Sequence, residues 1–193
     1  MTMKNKVLAK FPGQDFPSYN TAKIYIMDYT NQTENKRGIE WCDTVPSDIE
    51  SFVVNNSSSL DITFCAFKEN TIKLEGKETS HCEGILFPTV NSDKTWITFL
   101  ELKYPKKRNN LGSNLKDAKD QLLFTLDLFR KQGIIEKKRL VHLIFSAPKY
   151  TNQTPFENWS MSPSELKELR KTKYAIMRGV NSLEVVSNEK LIV

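Results

Sequence analysis

The chain has 193 residues, of which 39% are hydrophobic, and it carries a formal net charge of +5. That length suffices for one hydrophobic core, so we expect a single domain over residues 1–193. No run reaches the ~20 apolar residues of a membrane span, and residues 1–10 lack the apolar stretch of a signal peptide. The three cysteines are scattered along the chain, which argues against a disulfide framework or a zinc cage. A reducing, cytoplasmic setting without membrane contact is therefore predicted.

The first half of the chain is predicted to contain mainly strands. The segment 23–29 reads as a strand and is followed by a polar turn. A short helix is predicted at 46–54, because Ile49, Phe52 and Val53 recur at helical spacing. A meander of strands should follow, at 60–67, 71–74, 81–87 and 94–104.

The second half should contain two helices and further strands. A long helix with a continuous apolar stripe is expected to end at Gly133. The apolar run 139–146 is typical of a strand that is buried on both faces. Ser162-Pro163-Ser164-Glu165 is a capping box with proline at the first helical position, so a second helix should begin there. Short strands are predicted at 183–186 and 191–193.

The triplet Glu101-Leu102-Lys103 ends the apolar run 96–100 and is the main candidate for chemistry. Alternate residues of a strand face the same side, so the Glu101 carboxylate and the Lys103 ammonium should share one face. Charges at the end of a doubly buried strand are costly unless a metal ion or a partner charge compensates them. Glu83 on the preceding strand, Glu101 and the Leu102 carbonyl could together hold Mg²⁺, which prefers oxygen ligands.

Lys103 and Gln121 are predicted to act beside that cation. Lys103 could orient or deprotonate a water that attacks a phosphodiester, or stabilise the pentavalent state. Gln121 lies on the face of the long helix that should pack on the sheet, where its amide can bind the water or the lysine. Each residue also has a structural alternative: an edge-strand salt bridge for Glu101 and Lys103, a solvent-facing hairpin position for Glu83, and the rim of the apolar stripe for Gln121.

A cluster of cations follows the triplet. Lys106, Lys107 and Arg108 lie in a loop that leads to the start of the long helix, which carries Lys116 on its first turn. Cations beside a helix N-terminus are suited to phosphate contacts, so these residues are candidates for binding nucleic acid. The alternative is ordinary solvated loop charge.

The order of these features resembles that of the PD-(D/E)XK nuclease superfamily: Glu83, then the Glu101-Leu102-Lys103 triplet, then Gln121 on a helix, then a buried strand. The resemblance covers about residues 45–148. It implies an α/β fold with a restriction-endonuclease-like core, in which helices flank a central mixed sheet, and it leaves 149–193 as a C-terminal helix and strand extension. It also implies that Glu83 takes the first acidic position, Glu101 and Lys103 the ExK positions, and Gln121 the helical glutamine of many branches.

Two features separate this chain from the family pattern. The first acidic residue is a glutamate, in Cys82-Glu83-Gly84, where the family has an aspartate in a Pro-Asp pair. Some branches take a further ligand from the preceding helix, and Glu50 is the candidate for that position here.

The resemblance implies a Mg²⁺-dependent nuclease that hydrolyses phosphodiester bonds of DNA, as an endonuclease or an exonuclease, with Mn²⁺ as a substitute for Mg²⁺. A homodimer or a partner protein could supply sequence specificity. One alternative is a catalytically silent nuclease-fold protein that binds nucleic acid or a protein partner. Another is an α+β interaction module with an accidental ExK triplet, which would place Lys103 far from Glu83.

Overall fold

The computed structural model of the chain describes residues 1–30, 38–68, 71–74, 77–90, 92, 94–105, 111–150 and 161–193. Within these residues, helices and mixed sheets form an α/β fold, which confirms the predicted class. None of the helices in these ranges combines the length and the apolar character needed to cross a bilayer.

The helices and strands are defined by the following bounds. The helices are α1 (Met3–Lys10), α2 (Leu111–Lys131) and α3 (Pro163–Lys173). The strands are β1 (Ser18–Tyr19), β2 (Lys23–Asp28), β3 (Ile39–Cys42), β4 (Phe52–Asn55), β5 (Ile62–Ala66), β6 (Lys73–Leu74), β7 (Lys77–Glu78), β8 (Gly84–Pro88), β9 (Thr98–Leu102), β10 (Val141–Ser146), β11 (Ala175–Gly179), β12 (Ser182–Val185) and β13 (Leu191–Ile192).

The first sheet has the strand order β1-β5-β8-β9-β10-β11. Strands β5, β8 and β9 form an antiparallel meander, whereas β10 lies parallel to both β9 and β11. Parallel neighbours need a crossover connection, and α2 supplies it between β9 and β10. The carboxyl ends of β9 and β10 therefore meet at the same edge of the sheet, where Leu102 pairs with Ser146.

The second sheet has the order β13-β12-β4-β2-β3. Strand β2 pairs antiparallel with β3 and with β4, and β12 joins β4 in parallel. The C-terminal part of the chain thus adds β11 to the first sheet and β12 and β13 to the second.

The first sheet is buried on both faces, as predicted for its central strands. All five residues of β9 are buried. Phe99 packs with Phe129 of α2 in a cluster on the helical side, whereas Leu100 and Leu102 pack with residues of the second sheet. Because the side chains alternate along β9, Glu101 shares the helical side with Phe99.

The predicted helix at 46–54 is wrong. The chain forms the strand β4 there instead, and Phe52 and Val54 point inward on alternate positions. Both residues pack in the core between the two sheets, and β4 pairs with β2 and β12, which are distant in sequence. This packing outweighs a helical spacing that only three apolar residues supported.

The other predicted helices and strands are present, but several differ in extent: β8 begins three residues later than predicted, and β9 covers only 98–102 of the predicted 94–104. The predicted meander strand 71–74 is wrong in its pairing, because β6 pairs with β7 in a two-stranded sheet of its own. The long helix α2 begins at Leu111 and ends shortly before Gly133, which has a φ of 71°. Helix α3 begins with the predicted capping box, in which Ser162 and Glu165 exchange hydrogen bonds. Elements without a predicted counterpart include α1, β3 and β11.

Candidate functional site

The acidic and basic residues of the predicted site lie together at one end of the first sheet. Gly84 of β8 pairs with Leu100 of β9, so Glu83, directly before β8, comes opposite Glu101. The backbone N–H of Lys103 donates to the Ser146 carbonyl at 2.8 Å, which extends the pairing of β9 with β10 by one residue. Glu83 and Lys103 line the same cavity, contrary to the separation expected of an accidental triplet.

A chain of polar contacts connects Glu101 to α2. The Lys103 ammonium lies 2.5 Å from Glu101 Oε1 and donates a hydrogen bond to Gln121 Oε1 at 2.8 Å. Gln121 Nε2 in turn donates to the His81 carbonyl at 3.1 Å. Both ends of the Gln121 amide are therefore engaged, and the glutamine holds the lysine against the buried carboxylate.

A second contact fixes α2 against the residues before β8. Thr125, one turn after Gln121, donates its hydroxyl to the Gln121 carbonyl at 2.7 Å. The same hydroxyl accepts the backbone N–H of Cys82 at 3.0 Å. Helix α2 thus positions both Gln121 and the backbone that carries Glu83.

Glu101 occupies an unusual environment for a carboxylate. Its side chain is fully buried, and neither oxygen makes a hydrogen bond of good geometry within the described residues. The pKa of Glu101 is raised to about 7, chiefly because its side chain is buried. The Lys103 charge and the backbone N–H of Glu83 lower this pKa, whereas the nearby charge of Asp28 raises it further. An additional positive charge nearby would stabilise the charged form of such a carboxylate, which is the behaviour expected of a metal ligand.

Asp28 is a site residue that the sequence reasoning missed. It ends β2 of the second sheet, is only 8% exposed, and lines the cavity that also contains Glu83 and Lys103. Its Oδ1 accepts the backbone N–H of Thr30 at 2.8 Å. The available signal was an apolar run that is followed by an acid, as in the run before Glu101, but only tertiary packing brings these two strand ends together.

The cavity beside these residues has a volume of about 980 Å³ and lies between the end of the first sheet and the second sheet. Trp41 and Asp28 line it from the second sheet, and Gln121 lines it from α2. An adjoining cavity of about 610 Å³ on the α2 side is also lined by Lys103 and Gln121. Lys103 is thus accessible from the cavities, whereas Glu101 lies behind it.

The remaining predicted residues lie in different places. Leu102 is buried with its side chain in the core between the sheets, so only its carbonyl could serve as a ligand. Glu50 is exposed in the segment before β4 and does not line the cavity; its carbonyl accepts the Tyr104 hydroxyl at 2.7 Å. Lys116 is exposed on α2. The predicted phosphate contacts Lys106, Lys107 and Arg108 lie outside the described residues.

Metal ions differ in the number and kind of ligands that they require. In the part of the chain that the structure describes, no three His, Cys, Asp or Glu side chains are grouped so as to hold a metal. A closed structural metal site is therefore not present there. Mg²⁺ needs fewer protein ligands, because it commonly binds one or two carboxylates and retains several waters. Glu83, Glu101 and the Leu102 carbonyl are oxygen donors of the kind that Mg²⁺ prefers, and Glu101 is fully buried behind Lys103, whose ammonium forms an ion pair with its Oε1.

Comparisons of the chain with models of protein families, with curated proteins and with solved structures found no match.

Proposed function

We propose that this protein is a Mg²⁺-dependent nuclease with a restriction-endonuclease-like core that hydrolyses phosphodiester bonds, with DNA as its substrate. The observation that carries the proposal is the contact chain from Glu101 through Lys103 to Gln121. It combines a fully buried carboxylate whose ion-pair partner is Lys103, a lysine that is also accessible from a cavity, and a glutamine that holds the lysine.

The order of the elements supports the proposal. An antiparallel meander of β5, β8 and β9 is followed by α2 and then by β10, which is parallel to β9. This is the order that the resemblance implies for strands and helix of the nuclease core. The helix expected before the meander is absent at 46–54, so no helix there carries Glu50.

The side chains have the properties that phosphodiester hydrolysis needs. When bound, Mg²⁺ would polarise the phosphoryl group and offset its developing negative charge. An ammonium group has three N–H donors. In the described residues, one donor of Lys103 points to Glu101 and a second points to Gln121. A remaining N–H could therefore contact the attacking water or the phosphoryl oxygen. Gln121 limits the motion of the lysine through its own bond to the His81 carbonyl.

Lys103→Ala should reduce cleavage of DNA in Mg²⁺ or Mn²⁺ by roughly 100-fold or more, because positioned acid–base groups contribute about that much. The measurement is the rate of conversion of circular, linear and single-stranded DNA. Lys173→Ala is the matched control, since Lys173 also forms a 2.5 Å ion pair, with Asp127, but lies at the end of α3. Equal residual cleavage by Lys103→Ala and wild type would indicate a contaminating nuclease or another site.

Glu83→Gln should remove the stabilisation that Mg²⁺ gives to the fold while the metal-free stability stays the same or rises. The substitution removes a ligand charge at nearly constant volume and relieves repulsion with Glu101. A ligand at 100 times its Kd stabilises by about 2.7 kcal/mol, and thermal melts with and without Mg²⁺ measure this difference. Glu184→Gln, on the exposed side of β12, is the control. A Glu83→Gln protein with the full Mg²⁺ effect would remove Glu83 from the site.

One observation favours a catalytically silent nuclease-fold binder as the second candidate. The Lys103 ammonium already neutralises Glu101 at 2.5 Å, so the buried charge is compensated without a metal. Such a protein would bind nucleic acid or a protein partner, and Mg²⁺ would leave its stability unchanged. The melts described for Glu83 therefore distinguish the two candidates.

The cellular setting and the partners are part of the same proposal. A reducing cytoplasmic compartment is supported by the three thiols, which are all free: Cys42, Cys65 and Cys82. The protein would bind DNA alone, as a homodimer, or with a partner that supplies specificity. The phosphate contacts of Lys106, Lys107, Arg108 and Lys116 stay predictions.

A further inference from the structure

The cavity that Lys103 lines also contains an aromatic surface that the proposed hydrolysis does not use. Trp41 of β3 is half-buried and lines the cavity. The Tyr19 ring meets it edge-on with 4.3 Å between centroids, and the Phe64 ring packs at 5.4 Å. These neighbours hold the indole in a defined orientation, so it forms a preformed surface on which a planar ring could stack.

Asp28 provides a hydrogen-bond acceptor on the same wall. One of its oxygens accepts the backbone N–H of Thr30, and a carboxylate can accept further hydrogen bonds at its other lone pairs. The amino groups of adenine, cytosine and guanine are suitable donors, and carboxylates read such groups in nucleic acids. An aromatic surface next to a nearly buried carboxylate therefore matches a nucleobase with an amino group.

The charge and the size of the cavity both disfavour an intact duplex. Among the residues that the structure describes, its lining contains the three carboxylates of Asp15, Asp28 and Glu83 and the two ammonium groups of Lys68 and Lys103. Lys68 is paired with Asp15 at 2.7 Å and Lys103 with Glu101. Among the described residues, the lining therefore offers a row of phosphates no unpaired ammonium group, whereas a neutral base needs none. A volume of about 980 Å³ lies in the range of small-molecule pockets and is large enough for one nucleotide.

We propose that this cavity takes one unpaired nucleotide, with its base against Trp41 and its amino edge at Asp28. The substrate would then be single-stranded, frayed or locally opened nucleic acid, because base pairing hides the amino edge and stacking covers the ring faces. This inference builds on the proposed nuclease function and specifies its substrate class. Unpaired DNA and unpaired RNA share the chemistry that the cavity recognises.

The first test measures binding separately from cleavage. Glu101→Gln protein in Mg²⁺ would be titrated into labelled 12-nucleotide strands of DNA and of RNA, and into the blunt duplex of the same DNA sequence, with fluorescence anisotropy as the readout. We expect the single strands to bind about tenfold more tightly than the duplex. Adding Trp41→Leu, which keeps apolar volume but removes the stacking surface, should reduce single-strand affinity about tenfold, whereas Trp41→Phe should retain most of it.

A second arm tests the acceptor at Asp28. Oligothymidylate lacks amino groups, so the protein should prefer oligoadenylate and oligocytidylate over it, and Asp28→Asn should remove that preference. Tyr174→Ala is the control for loss of an exposed aromatic residue, because Tyr174 lies next to the start of β10, at the opposite end of the first sheet. It should bind each oligonucleotide as the parent protein does.

Two results would overturn the inference: equal affinity for duplex and single strand, or unchanged single-strand affinity in the Trp41→Leu protein. If wild type cleaves DNA through Lys103 but treats the duplex and the single strand alike, the nuclease proposal stands and the inference fails. If wild type shows no cleavage but its single-strand preference depends on Trp41 and Asp28, the inference stands and the nuclease proposal fails. The comparison of DNA with RNA identifies which unpaired strand is preferred.

Discussion

Glu101→Gln should abolish cleavage and at the same time make the metal-free protein more stable at pH 8. The cleavage loss follows from removal of the charge that would attract Mg²⁺. The gain in stability follows from burial, since a fully buried carboxylate that lacks well-formed hydrogen bonds is costly to keep charged. A residue whose removal stabilises the fold but eliminates activity is retained for function rather than for structure.

The effect of Glu101 on stability should depend on pH in a defined direction. Burial raises its pKa in the folded protein from an ordinary 4.5 to about 7. The folded state therefore binds the proton more tightly than the unfolded state, and wild-type stability should fall as the pH rises from about 4.5 through 7. The loss at pH 8 would be about 3 kcal/mol. Glutamine is neutral throughout, so the advantage of the variant should be largest above pH 7 and should vanish near pH 4.

Urea unfolding of both proteins in EDTA, at intervals from pH 4 to pH 8, measures this difference. Glu184→Gln, an exposed position on β12, should leave the pH profile of wild type unchanged. If the stability of wild type and of Glu101→Gln changed with pH in the same way, Glu101 would titrate like an exposed carboxyl group. Its burial would then not supply the charge that the proposed metal site needs.

Gly84→Ala should destabilise the protein by about 3 kcal/mol and disturb the site as well. A Cβ at this position would lie 2.5 Å from the Cys65 carbonyl oxygen and 2.6 Å from the Phe64 ring. Gly84 pairs with both β5 and β9, so β8 has no open side toward which it can shift. Overpacking of a closed core typically lowers the free energy of unfolding by about 1–3 kcal/mol. The forced movement of the backbone would also displace Glu83, the preceding residue.

Urea unfolding of Gly84→Ala tests this expectation, with Gly112→Ala as the matched control. A Cβ at Gly112, in the first turn of α2, meets nothing within 4 Å. That change should be neutral or stabilising by up to about 1 kcal/mol, because alanine favours helix more than glycine does. Wild-type stability in Gly84→Ala would show that β5 and β8 can separate more easily than their packing indicates.

Several features of the fold and the site could be predicted because they depend on local patterns. The uninterrupted apolar run before Glu101 predicted a strand that is buried on both faces, and β9 has all its residues buried. Two-residue periodicity predicted that Glu101 and Lys103 share a face, and their ion pair agrees. The apolar stripe of α2 placed Gln121 toward the sheet, where it contacts Lys103.

By itself, the amino-acid sequence determined the central strands β5, β8, β9 and β10 of the first sheet, the shared face of Glu101 and Lys103, and the sheet-facing position of Gln121 on α2, since periodicity and capping act over a few residues. The tertiary structure alone decided that residues 52–55 form a strand, because the pairing of β4 with β2 and β12 joins segments far apart in the chain. The same second sheet brings Asp28 and Trp41 to the cavity. No local pattern contains these contacts, because they arise from burying two apolar sheet faces against each other.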